Sequence, residues 1–183
     1  MSTTLEMTVE PALEPTRLRS DPPRRWTTEE FLRLVELDLV GKRDYLWDGV
    51  ILEAMSRKRP HSHVESRLLH LLPARFPPGR WYLTIDAPLR LADGYLPQPD
   101  FMVLNGGDEV YAARDLFPAD VFLLIEVSYA TYADDAGVTL AAYARAGIPL
   151  FWIVNIHQRR VEVYTQPEPT RESTQSGPTT GRA

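Results

Sequence analysis

The chain is organised around the stretch VFLLIEVS at residues 121–128, an apolar run that one acid, Glu126, interrupts. The stretch QPDFMVL at residues 98–104 has the same character around Asp100. Each run has the length and composition of a buried strand. Because an unpaired buried carboxylate is costly or takes up a proton, two such acids call for a partner. A divalent cation held by oxygen ligands, shared by Asp100 and Glu126, is the simplest one.

Further helices and strands are predicted on both sides of these two runs. Thr27 and Glu30 form a capping box at the start of the first helix, and Asp48-Gly49 has the sequence of a hairpin turn. Helices are also predicted at residues 61–72 and 138–146, and strands at residues 45–54 (a hairpin), 81–85, 87–91, 150–156 and 160–164. This order predicts an α/β fold, with a central mixed sheet flanked by helices.

The length and composition are those of one folded domain. The chain has 183 residues, of which 44% are apolar, enough for one hydrophobic core. Residues 1–24 are rich in proline and are predicted to form a flexible N-terminal arm. Residues 166–183 are rich in Pro, Ser, Thr and Gly and are predicted to form a disordered C-terminal tail. The folded domain is therefore expected at residues 25–165.

The absence of cysteine excludes disulfides, thiolate zinc sites and cysteine nucleophiles. It agrees with a reducing cytosol, so a cytoplasmic location is expected. No apolar stretch approaches the roughly 18 residues that a membrane-spanning helix needs, and no signal peptide is visible. We therefore expect no membrane association.

The net charge of −5 is unusual for a protein that binds nucleic acid over a broad surface. The charge is uneven, however, because residues 56–80 carry six basic residues, one acidic residue and three histidines. This segment is either a solvated helix face or a patch that faces phosphates. In the distribution of charge, this segment alone supports the expectation of a DNA partner.

Short motifs follow one another in a fixed order along the predicted domain. They are TTEEFL at 27–32, DGVI at 48–51, His63, Pro99-Asp100, EVS at 126–128, Thr131, Asp135, YARAGIP at 143–149 and WIV at 152–154. In this order and spacing they resemble the Uma2 family of endonucleases, a branch of the PD-(D/E)XK restriction-endonuclease-like superfamily. The resemblance implies a restriction-endonuclease-like core and hydrolysis of DNA phosphodiester bonds with Mg²⁺ or Mn²⁺. It also implies that Asp100 and Glu126 bind the metal.

The resemblance places two further positions in the catalytic site. His63 matches a histidine at the start of the second helix. A lysine is expected to act from the third helix, but Thr139 occupies its position, and Ser128 occupies the older lysine position of the superfamily. The lysines of this chain, Lys42 and Lys58, both precede Asp100. Tyr45 likewise stands where the family usually has a glutamate.

The missing lysine leaves the activity open. Threonine can hydrogen-bond a water but supplies no positive charge, and losing a charged stabiliser costs orders of magnitude in rate. One hypothesis is a slow metal-dependent nuclease in which Thr139, Ser128 or a second metal substitutes. The rival is a catalytically inactive domain that binds DNA or a protein partner. A weaker third hypothesis is a structural domain in which Glu126 pairs with Arg90 or Arg145. The sequence does not decide whether the chain forms a homodimer.

Other polar residues are interpreted structurally. His61 is expected on the surface, and Tyr143 in the core of the third helix. Asp134 and Asp135 open that helix, where acids favour the positive end of the helix dipole. Lys58 is an alternative source of the missing charge, since it could reach the site from another loop.

Overall fold

The computed structural model describes residues 22–165. The arm predicted at residues 1–24 lies almost entirely outside this range and the tail at residues 166–183 lies wholly outside it, so both stay predictions. Within the described range, no helix combines the length and the apolar character that crossing a membrane requires.

The described chain contains a hairpin, a five-stranded sheet and helices on both faces of that sheet. The helices are α1 (Thr28–Glu36), α2 (Arg59–Leu71), α3 (Tyr132–Asp134) and α4 (Leu140–Arg145), with a π-helical turn (Asp135–Thr139) joining the last two. The strands are β1 (Asp44–Trp47), β2 (Val50–Glu53), β3 (Trp81–Ile85), β4 (Phe101–Asn105), β5 (Val121–Ser128), β6 (Leu150–Asn155) and β7 (Arg160–Thr165). The predicted α/β class is confirmed.

The sheet has the order β3-β4-β5-β6-β7 and is mixed, as predicted. Strands β5 and β6 pair in parallel, whereas β3–β4, β4–β5 and β6–β7 are antiparallel. A parallel pair needs a crossover connection, and the α3–α4 segment provides it. That crossover brings α4 against the sheet beside the end of β5.

Alternate residues of the central strands pack into two separate cores, because successive side chains of a strand point to opposite faces. Phe101 packs on the face covered by Leu68 of α2, whereas Met102 packs on the face covered by Tyr143 of α4. Both faces are thus buried, which is why β4 and β5 are almost continuously apolar. By the same alternation Glu126 points to the α4 face.

One predicted strand does not form. Residues 87–91 make an isolated bridge between Leu89 and Leu116 but no strand. Pro88 lacks the N–H that a ladder would need, and this limits regular pairing. The predicted hairpin at residues 45–54 does form, as the antiparallel pair β1–β2.

The third helix begins earlier than predicted. The expected start was residue 138, but helical structure begins at Tyr132 and passes through the π-helical turn before α4. Gly137 lowers helix propensity, and this conceals the first turns from a reading of the sequence. π-Helical turns often occur at functional sites, and this one lies next to the buried acids described below.

Candidate metal centre

The pairing of β4 with β5 sets Asp100 beside Glu126. Phe101 lies opposite Ile125, so one further step along the same register reaches the two acids. The Asp100 N–H donates to Glu126 Oε2 at 3.3 Å, and the Val127 N–H donates to Asp100 Oδ2 at 2.7 Å. Each carboxylate is therefore held by the backbone next to the other. The structure brings together the two residues that the sequence singles out.

Glu126 lies in surroundings that disfavour its negative charge. Burial, followed by the charges of Asp100 and Asp135, raises the pKa of Glu126 well above its ordinary value. The Tyr143 hydroxyl donates to Glu126 Oε1 at 2.8 Å. Within residues 22–165, no salt bridge reaches Glu126, and Arg90 pairs instead with Glu29 and Asp115. An ionised Glu126 thus lacks a cation, and a divalent ion fits this need.

Asp100 has cationic neighbours that Glu126 lacks. Arg57 Nη2 lies 3.2 Å from Asp100 Oδ1, and His61 Nε2 lies 3.2 Å from Asp100 Oδ2. The same guanidinium also pairs with Asp86 and Glu65. Because Arg57 is shared among three carboxylates, it neutralises only part of the charge on Asp100.

Asp135 is a third buried acid in this region. It accepts a hydrogen bond of 2.7 Å from the Thr131 hydroxyl, and burial raises its pKa. As expected, Asp134 and Asp135 lie in the first turns of the helical segment that begins at Tyr132, and Asp135 is also buried there. Burial, followed by the charges of Asp134 and Glu126, also raises the pKa of Tyr45. Acidic groups are therefore concentrated at this end of the sheet, where burial disfavours their ionised forms.

The structure places His61, not His63, at the acids. His63 is exposed and lies with Ser66 and His70 on the outward side of α2. The side chain of His61 is only 14% exposed and contacts Asp100, so its expected surface position is wrong. The reason is helical phase, since Glu65 and Leu68, which also face the sheet, follow His61 by four and by seven residues. That spacing is the signal that would have identified it.

The charge balance at His61 follows from these contacts. Burial lowers the pKa of His61, but the hydrogen bond and charge of Asp100 and the charge of Glu65 raise it more. The net pKa is therefore raised, and the imidazole keeps its proton to a higher pH than a free histidine does.

The positions considered for the missing lysine lie on three different segments of the chain. Thr139 ends the π-helical turn and precedes Tyr143 by four residues, so the two share one face of the helix. Ser128 is buried at the end of β5. Lys58 Nζ lies 5.8 Å from the ring centroid of Tyr129, the residue that follows Ser128. Neither lysine of the chain lies on the helical segment that carries Thr139.

Replacing Glu126 with glutamine should stabilise the metal-free protein at pH 8. Because the pKa of Glu126 is raised on folding, the folded state binds the proton more tightly than the unfolded state. Stability is therefore lost as pH rises above the ordinary glutamate pKa towards the raised value. The glutamine removes this loss and keeps an acceptor, so we expect a gain of about 1–2 kcal/mol in urea denaturation.

Glu162→Gln is the matched control for that measurement. Burial raises the pKa of Glu162, but the hydrogen bonds that it accepts from Tyr164 and Arg160 lower it more. The net pKa of Glu162 is therefore lowered. Its substitution should therefore reduce stability at pH 8. A loss of stability in both variants would contradict the account of Glu126.

A solved structure shares this architecture. It is a "putative nuclease belonging to DUF820" from Anabaena variabilis, with a TM-score of 0.58 and 17% sequence identity over 80% of this chain and 81% of that chain. At this identity the likeness concerns the fold alone. No curated protein matches the chain.

A family model, described as "Putative restriction endonuclease", matches residues 28–181. The matched range contains the whole hairpin, the sheet, Asp100 just before β4 and Glu126 in β5. The order of short motifs in the sequence pointed to the same family. The chain belongs to the Uma2 family of restriction-endonuclease-like nucleases.

Proposed function

We propose that this protein is a metal-dependent endonuclease that hydrolyses DNA phosphodiester bonds at a site built on Asp100 and Glu126. The observation that carries the proposal is the reciprocal backbone support of the two carboxylates, combined with a Glu126 that lacks a cationic partner. Membership of a nuclease family supports the reaction class. The use of a metal, the DNA substrate and the roles of Asp100 and Glu126 belong to this proposal.

The donor set fits Mg²⁺ or Mn²⁺. Both acids offer hard oxygen ligands, and a pair of carboxylates is the usual protein contribution to a Mg²⁺ site that also holds a phosphate. A divalent ion bound there would polarise a phosphoryl oxygen and lower the pKa of the attacking water. An ion would also offset the repulsion between Asp100 and Glu126.

The residues of the chain hold the carboxylates in place beforehand. Tyr143 fixes one oxygen of Glu126 from α4, and the Val127 N–H fixes one oxygen of Asp100 from β5. Arg57 contacts the other oxygen of Asp100. Ligands held by such outer contacts need little rearrangement when a cation binds.

The nucleic-acid path is proposed along the end of β5. Tyr129 stacks on His157 with ring centroids 4.6 Å apart, and Lys58 lies over the Tyr129 ring. An aromatic pair beside a cation offers a stacking surface for a base and a charge for a phosphate. Lys58 also belongs to the basic segment noted in the sequence, and this supports a DNA-facing role for that segment.

A plasmid assay tests the proposal. The purified protein should nick or linearise supercoiled DNA when Mg²⁺ or Mn²⁺ is added, and chelation with EDTA should stop the reaction until metal is restored. Nicked product alone would indicate one cut per encounter, whereas direct linearisation would indicate paired copies. Cleavage that continues unchanged in EDTA would contradict a metal-dependent mechanism.

The replacement of the family lysine by Thr139 favours a second candidate function. In this alternative the domain has lost catalysis and binds DNA or a protein partner. Saturable DNA binding without cleavage in either metal would support it. Metal-dependent cleavage that depends on Asp100 would exclude it.

A further inference from the structure

A second group of potential metal ligands lies on the α2 side of Asp100. One donor atom from each of His61, Glu65 and Asp100 lies within 4.8 Å of the other two. Ligands that share a cation at about 2.0–2.2 Å lie at most about 4.4 Å apart, so a small closure brings these three into range. Glu126 is not part of this group.

The group differs from a chance cluster of acids in its histidine. His61 Nδ1 is buried and has no hydrogen-bond partner among the described residues, although Glu65 Oε2 lies 3.4 Å away. His61 Nε2 faces Asp100 Oδ2 at 3.2 Å. A largely buried imidazole between two carboxylates, with one nitrogen unsatisfied, is an arrangement that a cation would complete.

Arg57 stabilises the group without blocking it. Its Nε lies 3.1 Å from Glu65 Oε1, and its Nη2 lies 3.2 Å from Asp100 Oδ1. His61 faces the other oxygen of each carboxylate, Oε2 of Glu65 and Oδ2 of Asp100. The guanidinium thus orients both acids from one side and leaves the oxygens on the imidazole side for a ligand.

We infer that His61, Glu65 and Asp100 form a second cation site, selective for transition metals, with Asp100 shared between this site and the Glu126 pair. One imidazole and two carboxylates suit Mn²⁺, Co²⁺ or Zn²⁺ better than the all-oxygen preference of Mg²⁺. The inference rests on the proposed function for its role, since a second cation supplies positive charge that Thr139 cannot. Two-metal phosphodiesterases place their ions about 3.5–4 Å apart, a span that one bridging carboxylate provides.

Calorimetric titration of the metal-free protein tests the inference without relying on activity. Wild type should bind two equivalents of Mn²⁺, and His61→Ala and Glu65→Gln should each weaken one step by about 10–100-fold, the range seen when a metal site loses a supporting group. Mg²⁺ binding should change little in either variant. His70→Ala, which removes an exposed histidine of the same helix, is the control and should keep both steps. Thermal unfolding of each variant checks that it folds.

Glu126→Gln separates the inference from the proposed function. If Glu126→Gln removes one Mn²⁺-binding step and His61→Ala removes the other, the proposed Asp100–Glu126 pair and the second cation site are both supported. If binding is lost in Glu126→Gln but unchanged in His61→Ala and Glu65→Gln, the inference is overturned while the proposed pair stands. If only the α2 variants lose binding, the second site stands and the Glu126 pair fails.

Discussion

Asp100→Asn should reduce metal-dependent DNA cleavage by about 10³-fold, the upper part of the range for loss of one electrostatic stabiliser in an active site. Asp100 holds a central position, since its oxygens contact the Val127 N–H, Arg57 and His61, and its backbone supports Glu126. The asparagine keeps the shape and one acceptor but removes the charge that a cation needs. The measurement is the initial rate of plasmid nicking in Mn²⁺.

The control for this change is Asp108→Asn. Asp108 is exposed and lies beyond the opposite end of β4, so the same chemical change there should leave the rate unchanged. Both variants are purified in parallel, and this also exposes a contaminating nuclease. Cleavage that survives in a folded Asp100→Asn protein would contradict the proposed site.

Thr139→Lys should increase the cleavage rate by about 10²-fold, the size of effect that one added charged stabiliser can have. Thr139 lies one helical turn before Tyr143, whose hydroxyl touches Glu126. A lysine at this position therefore extends from the helix face that carries the contact to Glu126. Single-turnover nicking at saturating metal measures the chemical step.

Val138→Lys is the matched control, because it adds the same charge to the same π-helical turn on an exposed side chain. It should change DNA affinity slightly and leave the chemical step as it is. An unchanged rate in a folded, metal-binding Thr139→Lys protein would show that the missing charge does not belong at this position. An equal gain in both variants would point to a general charge effect.

Much of the fold is predictable because its signals are local. The apolar runs around Asp100 and Glu126 form the central strands, since burial of both faces demands such runs. The capping box of Thr27 and Glu30 is present in the structure with both of its hydrogen bonds. Each of these signals depends on residues a few positions apart.

The features of the candidate site that the sequence did not indicate depend on tertiary packing. The inward position of His61 depends on the rotational phase of α2, which the packing of Leu68 against the sheet reflects. The buried state of Asp135 depends on a π-helical turn that no local pattern indicates. Long-range contacts such as Arg57 with Asp100, 43 positions apart, are likewise absent from local sequence signals.

The central claim is that Asp100 and Glu126 share one divalent cation. Anomalous diffraction from crystals grown with Mn²⁺ tests it directly, because it locates the ion among its ligands. We expect a Mn²⁺ peak within about 2.0–2.6 Å of an oxygen of each acid, with Glu126 still bonded to Tyr143. A fully loaded crystal in which every Mn²⁺ lies away from Glu126 would contradict the account.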